Sequence, residues 1–294
     1  MKIGIPKSMF YYYYKNIWLN FFKYLGIELI ISPDTTREIF DLSVQYSRDE
    51  MCLSLKDFIG HVAYLDGKCD YILIPRIDNY GRDNQTCTNF LAAYDIINNL
   101  VCNKILNYNV NIVDGDTEEK GLISIGKKLG FKSEELKKAY KYAYELDNEI
   151  HNNEIMSNLK KLNSPKVKIL LVSHVYNTYN KFIGEPIIKM LDKLDVEIIY
   201  SDLFYTDNEY KKYAYGLYWN YSKNIISSIY KAKEKIDGII FLSSFPCGLD
   251  SLVNELVLRK LDKPYINIIV DDVESLGGIE TRIESFVDII SIKQ

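Results

Sequence analysis

The stretch Asp237-Gly238-Ile239-Ile240-Phe241-Leu242-Ser243-Ser244-Phe245-Pro246-Cys247-Gly248-Leu249-Asp250-Ser251 decides how this chain of 294 residues folds. Its opening is a short apolar run rich in β-branched and aromatic side chains, the pattern of a buried strand. Leu252 to Leu258, which follow it, read as a helix. Cys247 therefore falls in a strand-to-helix turn at the carboxyl end of a strand, where open α/β sheets place their ligands. Asp250 or Ser251 reads as the N-cap, so backbone N–H groups are expected to point back at the turn. A thiolate in that turn is favoured by the helix dipole.

Outward from this turn, strands and helices alternate. Strands are expected at about 167–172, 196–200, 238–242 and 265–270, with helices at about 183–194, 210–235 and 251–261. Toward the N-terminus, Lys2 to Ile5 reads as a strand closed by Pro6. Phe10 to Leu25 reads as a helix ended by Gly26, and Ile27 to Ile31 as the next strand. Thr36 to Tyr46 reads as a helix, and Cys52 lies at a turn before another helix ending near Leu65. Tyr71 to Ile74 is a short strand stopped by Pro75, and the polar stretch from Asp78 to Thr88, which holds Cys87, reads as a loop. From Thr117 to about Leu162 the pattern is helical, and Asn163-Ser164-Pro165 reads as a linker. The expected class is α/β: two Rossmann-like or flavodoxin-like parallel-sheet halves, residues 1–115 and 166–294, joined by a helical connector at 116–165. No sequence repeat relates the halves, although both begin strand, polar turn, helix.

Composition narrows the function. The net charge of −4 comes from 36 basic and 40 acidic groups with no basic stripe, which argues against nucleic acid as a partner. No apolar run approaches the roughly 20 residues that a membrane span needs. The N-terminus lacks the apolar core of a signal peptide, so a cytoplasmic protein with reduced thiols is expected. Gly121 to Lys128 resembles a phosphate-binding loop but carries Lys128 where a hydroxyl must hold magnesium. No G-x-G-x-x-G fingerprint occurs.

The five cysteines are Cys52, Cys69, Cys87, Cys102 and Cys247, an odd and scattered set that makes a poor disulfide framework. Cys69, just before a strand, and Cys102, inside an apolar helical run, read as small buried hydrophobes. Cys52, Cys87 and Cys247 fall in turns beside helix or strand ends, where a thiolate can face a cleft. No C-x-x-C pair joins them, and spacing alone makes them weak candidates.

The chain resembles the 2-hydroxyacyl-CoA dehydratase and benzoyl-CoA reductase superfamily, in its uncharacterised activase-associated branch. The residues that carry the resemblance are Lys2 to Tyr14 with Trp18, Phe21 and Phe22; Asp49 to Lys56 with Gly60 and His61; Ile74-Pro75-Arg76; Phe182 to Pro186; Phe245 to Ser251; and Gly278 to Phe286. The resemblance implies two α/β halves with an iron–sulfur cluster, a [4Fe-4S] cubane or a double cubane, in the cleft between them. The family's cluster cysteines map onto Cys52, Cys87 and Cys247. Thr88 and Leu249 stand where the branch usually has proline, which alters the rigidity of both loops. The resemblance further implies low-potential electron transfer to a small molecule, such as an acyl-CoA thioester, under anaerobic conditions. A separate ATP-dependent activase with its own cluster supplies the electron, and the chain pairs as a homo- or heterodimer with a homologous subunit. The alternatives are a zinc site of three cysteines with a His or Asp, and a non-catalytic cluster carrier or partner subunit of a catalytic homologue.

Weaker site candidates are His174, which ends a strand and is expected to face the cleft, and Glu50, beside Cys52. His61 is expected to be a packed, hydrogen-bonded histidine. Arg282 and Glu284 are expected to form a structural ion pair.

Overall fold

Two compact units divide the chain: Met1–Ile150 with Tyr218–Asn220, and His151–Leu217 with Tyr221–Gln294. The computed structural model describes residues 1–272 and 277–292. Glu274, Ser275 and neighbouring positions 273 and 276 lie outside the described residues, as do the last two.

The first unit runs β1 (Lys2–Ile5), α1 (Phe10–Tyr24), β2 (Glu28–Ile31), α2 (Arg37–Tyr46), α3 (Leu53–Leu65), β3 (Tyr71–Leu73), β4 (Arg76–Asn79), α4 (Thr88–Ile97), β5 (Lys104–Leu106), β6 (Asn109–Asn111) and α5 (Glu118–Lys128). The unit boundary falls within α6 (Ser133–Lys161). Four parallel strands form a sheet in the order β2-β1-β3-β5. Ile3, Ile5, Ile72 and Leu73 are buried, as strands covered on both faces require. α1 buries Phe10, Tyr14, Ile17, Trp18 and Phe21 on one stripe, at the spacing of a helix with a single core-facing side. Gly26, at φ +67°, takes the left-handed turn that ends it. Proline has no N–H to give a ladder, so Pro75 closes β3. The chain restarts as β4, which pairs in parallel with β6 in a separate two-stranded sheet.

The second unit runs β7 (Lys168–Val172), α7 (Val175–Thr178), α8 (Gly184–Lys193), β8 (Glu197–Tyr200), α9 (Asn220–Ala232), β9 (Gly238–Ser244), α10 (Gly248–Leu258), β10 (Tyr265–Val270) and α11 (Gly277–Ile292). Its parallel sheet has the order β10-β9-β7-β8. Every residue of β9 is buried, the property that its unbroken apolar run announces.

Counted within each four-stranded sheet, both place their strands second, first, third, fourth. The α/β class in two halves is therefore present, and the halves share a topology that their sequences do not advertise. Three local expectations are corrected. Strands β4, β5 and β6 were not foreseen, because each holds at most two apolar residues among polar neighbours and so shows no apolar run. Cys102 is not in a helix: α4 ends at Ile97, and Cys102 is exposed in a bend before β5. α9 begins at Asn220 rather than near residue 210, because a 3-10 turn and Gly216 at φ +85° interrupt the helical pattern before it.

Candidate functional site: three thiols at helix starts

Cys52 is the N-cap of α3, Cys87 of α4 and Cys247 of α10, each with extended backbone angles. The cap position usually takes Ser, Thr, Asp or Asn, whose oxygen accepts an orphan N–H of the first turn. Here sulfur does so. Cys87 Sγ accepts the Asn89 N–H at 3.4 Å, and Cys247 Sγ accepts the Asp250 N–H at 3.4 Å. Cys52 Sγ accepts from the Asn89 side-chain amide at 3.3 Å. Asn89 thus gathers Cys52 and Cys87, two of the four thiols of the first unit. N–H donors and the positive end of a helix both favour the thiolate, the form that binds a metal. The expected N-cap at Asp250 or Ser251 is corrected: α10 starts at Gly248, which moves the cap onto Cys247 itself.

Packing fixes the helices that carry Cys52 and Cys87. Phe10 of α1 meets Phe58 of α3 edge-on at 5.2 Å and Phe90 of α4 at 4.8 Å between ring centroids. Behind them lies a buried polar network. Asp57 accepts from Ser8 and, at 2.8 Å, from Thr35, while His61 meets Ser32 at 2.8 Å and Thr35 at 3.1 Å. Burial opposes the charge on Asp57, but adjacent His61 and the hydroxyl donors prevail and hold its carboxyl below the usual range. These bonds tie the loops after β1 and β2 to α3, and His61 is the packed, hydrogen-bonded residue it was expected to be. The loop before Cys87 is also fixed. Thr86 donates to the Ile77 carbonyl at 2.6 Å, and Gln85 pairs with the backbone of Tyr218–Asn220.

In the second unit, His174 caps α7 directly after β7 and is buried. Its Nε2 lies 3.0 Å from Asp250 Oδ1, and its ring stacks on Tyr176 at 5.0 Å. Asp250 therefore faces two ways, its N–H toward Cys247 sulfur and its carboxylate toward His174. A cavity of about 10 Å³ beside them is lined by Ser173, His174, Ser222, Asp250 and Asn254, among others. That volume suits one water with several polar partners.

Glu50 sits exposed in the turn before Cys52. Cys69 is half-buried; burial pushes its thiol pKa up, and it donates to the Leu65 carbonyl at 3.6 Å. Arg282 donates to the Asn267 carbonyl at 2.6 Å, covering part of the outer edge of β10. Within either unit, the described residues hold no group of three or more His, Cys, Asp or Glu side chains suited to a metal. Asn89 and Asp250 went unrecognised from sequence. The available signal was a polar residue two or three places after a cysteine that starts a helix.

An α/β protein that presents cysteine sulfur at its helix starts is the class that fold and site define. The chain belongs to the CoA enzyme activase uncharacterised domain family, which matches residues 2–204. No curated protein matches it. Among solved structures it is similar to the substrate-binding protein FpvC of Pseudomonas aeruginosa in complex with manganese, at 13% identity over 99% of this chain and 97% of that one, with a TM-score of 0.27. It is also similar to a metal-free periplasmic metal-binding protein of Candidatus Liberibacter asiaticus, at 13% identity over 99% of both chains, with a TM-score of 0.31. TM-scores this low carry no information about fold or site. No helix among the described residues is long and apolar enough to cross a membrane.

Proposed function

We infer that this chain is an iron–sulfur protein of the 2-hydroxyacyl-CoA dehydratase type, with Cys52, Cys87 and Cys247 as the cluster ligands. The observation that carries this reading is position: these cysteines each stand at the N-cap of a helix, whereas Cys69 and Cys102 do not. The donor set fits a cluster, because each sulfur already accepts an N–H bond of the kind that stabilises a ligating thiolate. When bound, a cluster on three thiolates supplies low-potential one-electron chemistry and an iron not saturated by protein sulfur.

The chain's own residues then have separable tasks. Cys52, Cys87 and Cys247 would hold the group, and Phe10 packs α3 and α4 against α1 through Phe58 and Phe90. Asp250 orients His174, the candidate for proton transfer. Glu50, exposed beside Cys52, is the weaker candidate for proton transfer. The electron comes from a separate ATP-dependent activase, in keeping with the family's description. The acceptor is a small molecule of the acyl-CoA class, and the working protein is a dimer with itself or a homologous subunit in the cytoplasm.

The test is electron paramagnetic resonance of the anaerobic protein mixed with an activase, with and without ATP. Cluster reduction that requires ATP is the expected result. Equal reduction without ATP, or none across several activases, contradicts it.

A further inference from the structure

A groove of about 380 Å³ runs between α11 and the start of β10, the outermost strand of the second sheet. Pro264, Tyr265 and Ile266 form one wall, and Arg282, Ser285 and Ile289 stand on the other. No cysteine lines it, and its walls belong to the second unit alone. The volume falls in the range of small-molecule sites, which are mostly apolar with a few placed polar groups. Arg282, Ser285 and Ile289 are three and then four places apart, so they share one stripe of α11. Along that stripe the wall passes from polar to apolar over about 10 Å, at roughly 1.5 Å per residue. At the apolar end, Tyr265 is 42% exposed and Ile289 53%, so nothing in the chain covers either.

Arg282 carries the only charge among the described residues that line the groove. It pairs with no carboxylate among the described residues, and its Nη2 donates to the Asn267 carbonyl at 2.6 Å. That bond holds the guanidinium in place and leaves its other N–H groups for a ligand. It also decides what kind of ligand. The Pro264 and Val270 carbonyls bond the backbone at β9 and its end, so by alternation the Asn267 carbonyl points to the free side of β10. Arg282 therefore stands at the middle of the open edge, where a strand adding to the sheet would have to run. A molecule lying in the groove beside the edge meets no such obstacle.

We propose that this groove binds a straight-chain aliphatic carboxylate of about eight carbons, with its carboxylate on Arg282 and its chain along α11 toward Tyr265 and Ile289. The site needs no metal and stands whether or not the iron–sulfur reading does. Its ligand carries a free carboxylate, which a thioester lacks.

Octanoate is titrated against the protein by saturation-transfer NMR, with octanamide as the neutral molecule of the same shape. The wild type should bind octanoate at least about tenfold more tightly than octanamide, because a guanidinium–carboxylate pair is charge-assisted and bidentate. Arg282→Gln should bring octanoate to the level of octanamide and leave octanamide unchanged. Ser285→Trp, made at an exposed position, fills the groove without entering the core and should abolish binding of both. No saturation transfer to octanoate up to about 10 mM, well above the Kd a small-molecule site of this size needs, overturns the proposal. So does equal affinity for octanoate in the wild type and Arg282→Gln. A wild-type dimer in sedimentation velocity that Ser285→Trp splits overturns it as well, since the groove would then belong to a second copy of the chain.

Discussion

Glu118 shows how one side chain can make stability depend on pH. Trp18 Nε1 donates to Tyr108 Oη at 2.9 Å, and Tyr108 Oη donates to Glu118 Oε1 at 3.3 Å. Burial lifts the Glu118 pKa to about 7, nearby Asp147 adds to the rise, and the Tyr108 bond only partly opposes it. A carboxyl whose folded pKa lies above its unfolded value of 4.5 contributes stability below the lower value and loses it as the pH climbs through the upper one. Glu118→Gln removes that dependence. The variant should match the wild type at about pH 4.5 and exceed it at about pH 8 by roughly 1–3 kcal/mol, the range discounted for partial solvation. Urea unfolding at the two pH values, followed by tryptophan fluorescence, checks this. An equal difference at both contradicts it. Asp57 has the opposite sign: its carboxyl is held low, so its contribution is present above the ordinary carboxylate range and lost on acidification.

At the scale of elements, the informative substitution separates a cap from a ligand. Serine is a good N-cap and a poor ligand for a soft metal, whereas alanine is neither. Cys87→Ser and Cys247→Ser should therefore keep their helices with little loss, while the alanine variants should lose about 1 kcal/mol each. Chemical unfolding of the metal-free proteins reads the difference, and alanine and serine variants of equal stability would remove sulfur from the capping role. A second element-level prediction concerns the α2–α3 contact. A Cβ on Gly60 would meet the Ser43 side chain and the Ile39 carbonyl oxygen, the latter at 2.5 Å. Backbone cannot yield as a flexible side chain does, so Gly60→Ala should destabilise the first unit by about 1–3 kcal/mol. An alanine variant as stable as the wild type would show that the helices separate freely.

At the scale of the whole molecule, legibility tracked apolar patterning with clear stops rather than length. β1, β7, β9 and β10 and the helices α1, α2 and α8 announced themselves within about two residues, because each combines an unbroken or periodic apolar run with a proline, glycine or polar stop. The shared strand order was not legible, since pairing between strands joins residues far apart and leaves no local mark. The turns holding Cys52, Cys87 and Cys247 were legible as turns. The sulfur caps at Cys87 and Cys247 were not, because sulfur is an uncommon cap, and Asp250 and Ser251 drew the expected start of the last of these helices past Cys247. Asn89 and Asp250 were hidden for a further reason: what distinguishes them is contact, with a thiol 37 positions away in one case and a histidine 76 positions away in the other. The resemblance to the dehydratase superfamily singled out Cys52, Cys87 and Cys247 where spacing could not.

Iron, acid-labile sulfide and zinc analysis of the anaerobically purified protein tests the central claim most directly, run on the wild type and on serine variants of all five cysteines. The predicted result is a coloured wild type with iron and sulfide in matching amounts, lost in Cys52→Ser, Cys87→Ser and Cys247→Ser and kept in Cys69→Ser and Cys102→Ser. A colourless wild type rich in zinc, or full iron in any of the first three variants, would contradict it.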